Sequence, residues 1–173
     1  MLDRLPVRVD PYRLAEQSLT LEGYFHTAKM ERLKQSVLGA EEQLTAELGF
    51  SKKGAAHYFI QGNVRLNVQL TCQRCLESLD HEINSDFELA LVGSELQAEQ
   101  VLESIEPLLV VEGDMLETQE LLEDELLLGL PTVALHGKDQ QCEVPESREV
   151  IPQELPEEKE PSPFGVLKDL KGD

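Results

Sequence analysis

Between Leu44 and Leu91 apolar and polar residues alternate over long stretches, which is the pattern of strands rather than helices. Leu44, Ala46, Leu48 and Phe50 form one such series, and Ser51-Lys52-Lys53-Gly54 reads as a turn. Tyr58, Ile60, Gly62, Val64, Leu66, Val68 and Leu70 keep a period of two over thirteen residues, and His81, Ile83, Ser85, Phe87, Leu89 and Leu91 resume it. A two-residue period puts alternate side chains on one face, so consecutive strands of this kind predict an antiparallel meander with one face buried. Strands usually run five or six residues, and the longest one is expected to bend, at Gly62.

Shorter elements flank this centre. Asp10-Pro11 predicts an N-cap and first helical residue for a helix to about Gln17, and Leu19, Leu21, Gly23 and Phe25 predict a strand. Thr27 is placed to cap a second helix through Met30, Leu33 and Val37, ending at Gly39. Residues 94–106 read as a loop or weak helix, and Pro107 to Val111 as a short strand. Asp114 with Glu117 forms a capping pair for a helix through Leu121, Leu122, Leu126 and Leu127, stopped by Gly129 and Pro131. The fold class expected is α+β: an antiparallel β-meander, with closure into a barrel as one option, a few short helices and an extended C-terminal tail. Residues 1–142 are expected to form a single domain. Residues 143–173 read as an acidic Pro/Glu-rich linker, extended and largely disordered over 143–161, leading to a terminal apolar motif.

Composition changes this picture mainly through charge. The formal charge is -19, yet residues 1–74 carry ten Lys/Arg against eight Asp/Glu, while 75–137 carry sixteen acids and no Lys or Arg. Such a surface repels the phosphate backbone and attracts a basic partner, or it simply keeps the chain dissolved. The acids Glu117, Glu120, Glu123, Asp124 and Glu125 fall on the last helix, where they read as a solvated face opposite leucines and as candidate contacts for a basic protein. Lys29, Arg32 and Lys34 form the one small basic face, itself read as solvated. No run of eighteen apolar residues and no signal-peptide pattern is present, so the cytoplasm is the expected location.

The candidate chemistry lies in the cysteines. All three fall into one possible set: Cys72 and Cys75 at C-x-x-C spacing, and Cys142 six residues after His136. Four such ligands suit tetrahedral Zn²⁺. A dithiol redox pair is a second reading, although no thioredoxin-like βαβ pattern surrounds it; reduced thiols packed at a strand end are the third. No phosphate-cradling glycine loop, G-x-S-x-G or H-E-x-x-H occurs, and His26, His57 and His81 have no nucleophile placed beside them by sequence. A non-enzymatic protein with no small-molecule substrate is therefore expected, with a zinc- or thiol-dependent enzyme using the C-x-x-C pair as the alternative.

Several segments in order along almost the whole chain carry a resemblance. They are Leu5-Pro6 and Asp10-Pro11, V-Q-L-T-C-Q-R-C-L-E at 68–77, and E-D-E-L-L-L-G-L-P at 123–131. His136, Cys142-Glu143-Val144, Glu154-Leu155-Pro156 and S-P-F-G-V-L-K-D-L-K at 162–171 follow. Together they resemble the YceD family, the large ribosomal RNA subunit accumulation proteins of bacteria and plastids. Ser162 departs from the pattern, which has Asn before Pro-Phe. The resemblance implies a cytoplasmic factor needed for synthesis or accumulation of large-subunit (23S) ribosomal RNA. It names no reaction and no metal. With this charge, the expected mechanism is indirect, through a basic ribosomal or assembly protein. Phe164, Val166, Leu167 and Leu170 are expected to serve as a further partner contact, and direct RNA contact through the N-terminal half is the runner-up.

Overall fold

A computed structural model describes residues 3–54, 56–102, 104–137 and 142. The strands and helices follow as β1 (Arg8–Val9), α1 (Pro11–Glu16), β2 (Thr20–His26), α2 (Glu31–Ser36), β3 (Gly39–Ala40) and β4 (Gln43–Lys53). Then come β5 (His57–Thr71), β6 (Ser78–Val92), α3 (Glu95–Ala98), β7 (Glu106–Leu109), β8 (Leu116–Glu117) and α4 (Thr118–Leu128). The main sheet runs β2-β4-β5-β6-β7, with β3 paired to β5, so it stays open and does not close into a barrel. Its centre is the expected meander: β4, β5 and β6 pair antiparallel in continuous register.

The two-residue period sorts the sheet as expected. Leu44, Leu48, Ile60, Val64, Val68 and Ile83 face inward and are fully or almost fully buried. Phe25, Met30, Leu33, Leu122 and Leu126 join them in one core, beneath the helices. The long strand passes through Gly62 without a bulge. That glycine supplies space instead: it lies opposite Phe87, and a Cβ there would sit 2.2 Å from the ring.

Two expectations give way to tertiary contacts, which also set the direction of one strand. β7 pairs parallel to the last four residues of β6, Leu89–Val92, after the crossover through α3. Thr27 opens a 3₁₀ turn rather than capping a long helix, since its hydroxyl donates to the Glu41 carbonyl (2.6 Å); α2 is short and Gly39 lies in β3. Asp114 does not cap α4, because Leu116–Glu117 is held as β8 against β1 and the helix starts only at Thr118. The α1 cap is as expected, with the Asp10 carboxylate accepting the Arg13 N–H (3.0 Å).

Candidate metal centre

The turn between the two longest strands is built by its own backbone. The Cys72 N–H donates to the Glu77 carbonyl (2.8 Å) and the Leu76 N–H donates to the Cys72 carbonyl (2.9 Å), closing the tip around Gln73, Arg74 and Cys75. This geometry forces Leu76 into the left-handed region, with φ 64°. After α4 ends at Gly129, the chain passes beside the tip and is fixed there, the Gln73 N–H donating to the Ala134 carbonyl (2.9 Å). Ala134 is buried, so the residues after it are delivered to a set place.

That place is the C-x-x-C pair. His136 Nδ1 lies 3.3 Å from Cys75 Sγ, and Cys142 Sγ lies 3.7 Å from Cys72 Sγ. The four ligand atoms all lie within 4.8 Å of one another. Topology therefore closes the long sequence gap, and the four residues singled out by spacing converge on one point. Tetrahedral zinc with bonds of ~2.3 Å to sulfur and ~2.0–2.1 Å to nitrogen requires S–S separations of about 3.7–3.8 Å and S–N separations of about 3.5 Å. The three cysteines are unbonded to one another, and the 3.7 Å separation is that of co-ligands rather than a disulfide.

The protonation pattern suits a cation. His136 Nε2 is 3.2 Å from the Ser78 carbonyl, which can only accept, so Nε2 donates there and Nδ1 is the ring nitrogen turned toward the thiols. Burial pushes the Cys72 thiol up, but backbone N–H groups of Cys75, Arg74 and His136 outweigh it and hold this thiol down at about 5. Burial, with hydrogen bonds from the Cys75 and Cys72 sulfurs, pushes Cys142 up to about 11. Without a cation, the pocket thus resists gathering three thiolates. A bound divalent ion would remove that resistance. Four protein donors leave no open coordination position, the arrangement of a structural site rather than a catalytic one.

The other candidate residues are distributed differently. The five acids expected on the last helix are not a uniformly solvated face, and Glu117 lies in β8 rather than α4. Glu123 and Glu125 are buried; Glu117 pairs with Arg8, and Asp124 with Arg32. Glu123 Oε1 accepts the backbone N–H groups of Arg32 (2.9 Å) and Leu33 (3.0 Å), so it caps α2 from another helix. Only Glu120 and Asp124 of the five are exposed. Two of the three basic residues are engaged, Arg32 on Glu123 and Asp124, and Lys34 on Glu31 and the Ala28 carbonyl, while Lys29 is exposed. Phe164, Val166, Leu167 and Leu170 lie outside the described residues.

What sequence reasoning missed is the open face of the sheet. The outward positions carry Glu22, Glu47, Asp80, Glu82, Asp86 and Glu88, against Arg65 and Lys53. Lys53 pairs with Glu88 (3.2 Å), whereas Glu22 and Glu47 stand directly opposite each other in register. The signal was available: these are the polar positions of the same alternation that identified the strands.

An open, mostly antiparallel sheet with a few short helices and a Cys₃His cluster at one hairpin tip defines a small α+β protein with a metal-type staple. Residues 60–171 match the family described as Large ribosomal RNA subunit accumulation protein YceD. A Large ribosomal RNA subunit accumulation protein YceD from Haemophilus influenzae is 33% identical over 171 residues, covering 97% of each chain. The chain belongs to the YceD family. No solved structure matches it.

Proposed function

We propose that this chain is a non-enzymatic cytoplasmic factor that supports accumulation of large-subunit (23S) ribosomal RNA, acting through a basic ribosomal or assembly protein. The observation that carries the reading is the end-to-end relationship to a protein named for that role. The Cys₃His cluster supports the non-enzymatic part, because a centre whose four positions are all filled by protein has no place for substrate. Its role is to hold Zn²⁺ and tie the β5–β6 tip to the chain leaving α4.

The acidic sheet face supports the indirect mechanism. Carboxylates opposed across strands destabilise each other, and a cationic partner would relieve that repulsion while phosphates would increase it. The segment containing Phe164, Val166, Leu167 and Leu170 serves as a second contact.

The test is rescue of large-subunit ribosomal RNA levels in cells deleted for the gene. Glu22→Lys with Glu47→Lys should fold normally and rescue poorly, with weaker salt-sensitive capture of large-subunit proteins. Full rescue by this double variant, together with tighter RNA binding, would overturn the indirect mechanism.

A further inference from the structure

Four described residues have positive φ: Ser18, Gly54, Leu76 and Gly113. Gly54 and Gly113 have no Cβ to strain, and Ser18 is a small polar residue just after α1. Leu76 is the outlier, a branched apolar side chain in a conformation that crowds its Cβ. Burial does not repay that strain within the described residues, since Leu76 remains 63% exposed. Glycine would satisfy the same hydrogen bonds at less steric cost.

We propose that Leu76 is an interaction anchor, inserted into an apolar cleft of a basic polypeptide. The C-x-x-C turn aims it outward, and the metal centre would keep the turn rigid. Val133 and Leu135, 55% and 41% exposed, flank the Ala134 contact to the same tip and supply further apolar surface. Charge selects the partner. Glu77, Asp80 and Glu82 follow the turn, against Arg74 alone. A polypeptide with Lys or Arg around its cleft fits this tip, and a phosphate backbone does not. The inference rests on the basic-partner reading and locates an anchor for it.

The experiment uses the full chain with Leu76→Gly, Leu76→Met and, separately, Glu22→Lys/Glu47→Lys. Zinc content and unfolding midpoint are measured on purified protein, and large-subunit ribosomal RNA in deletion cells. A photo-crosslinking residue at position 76 is probed against salt-stripped large-subunit proteins and against ribosomal RNA. Leu76→Gly should keep its zinc and hold or raise its midpoint by up to about 3 °C, yet rescue RNA levels at least about fivefold less well than wild type. Leu76→Met should rescue, and the crosslink should form to protein.

Loss of zinc or a lowered midpoint in Leu76→Gly would show a structural leucine and overturn the inference. Full rescue by Leu76→Gly would do the same, and so would a crosslink to RNA alone. A silent Leu76→Gly beside a defective double variant would reject the anchor and leave the acidic-face reading standing. The reverse pair, with a protein crosslink, would keep the anchor and reject the acidic face.

Discussion

Replacing Glu123 with alanine should unfold this protein far more readily than any other single change among the acids of α4. The helix α2 begins at Met30 with no side-chain cap of its own, and Glu123 supplies the missing acceptor for two of its first N–H groups. Leu33 is fully buried, so water cannot reach its N–H once the carboxylate is gone. A hydrogen bond to a charged acceptor is worth ~1.5–3 kcal/mol, and the more accessible Arg32 N–H adds ~1 kcal/mol. The Arg32 ion pair adds little, because its guanidinium side is 51% exposed. The sum is about 2.5–4 kcal/mol for Glu123→Ala. Glu123→Gln keeps one oxygen that can accept both N–H groups and should cost only ~0.5–1 kcal/mol, while Glu120→Ala should stay within about 0.5 kcal/mol. Urea unfolding of the four proteins followed by circular dichroism reads the series directly. A Glu123→Ala midpoint indistinguishable from wild type, or a Glu123→Gln variant as weak as Glu123→Ala, would refute the capping argument.

Gly62→Ala should cost ~1–3 kcal/mol, because the new methyl must displace the Phe87 ring, and Gly62→Ala with Phe87→Leu should recover part of it in the same assay. Burial, then the Glu106 and Asp124 carboxylates, hold the Glu125 carboxyl above its ordinary range, so the folded state grips that proton more tightly than the unfolded chain. The stability this proton confers is full below the ordinary Glu pKa of about 4.3 and is lost as pH rises through the raised folded value. Glu125→Gln should therefore be more stable than wild type at pH 7, and the difference should vanish below about pH 4; an equal difference at both would refute the assignment. Removing residues 162–173 should leave the unfolding midpoint unchanged while lowering large-subunit ribosomal RNA in cells, and a large drop in midpoint would show that this segment packs onto the domain instead.

The central sheet was legible because each strand of the meander has one buried face, and the period of two survives any detail of packing. The convergence of Cys72, Cys75, His136 and Cys142 was legible for a similar reason: three cysteines and one well-placed histidine left few combinations. The direction of β7 was not, since a four-residue strand shows the same pattern whether its neighbour runs parallel or antiparallel. Glu123 was misread because a carboxylate on a helix looks solvated until another helix brings it unpaired N–H groups. The same blindness hid the balance of charge. Arg8, Arg32 and Lys53 lie in the near-neutral half of the sequence, yet they pair with Glu117, Glu123, Asp124 and Glu88 from the acidic half. Part of the surface acidity that remains falls on the sheet, where alternation had already marked the outward positions, and part on exposed Glu95, Glu99, Glu112, Asp114 and Glu120 outside it.

The most direct test of the metal centre is zinc analysis of the reduced, purified chain combined with X-ray absorption at the zinc edge. One zinc per chain is expected, with three sulfur neighbours at about 2.3 Å and one nitrogen at about 2.0–2.1 Å. In Cys142→Ser the sulfur count should fall to two or the metal should be lost, and a chelator should lower the unfolding midpoint of wild type. A chain that purifies reduced and folded without metal, or binds zinc with the same coordination after Cys142 is replaced, would contradict the account.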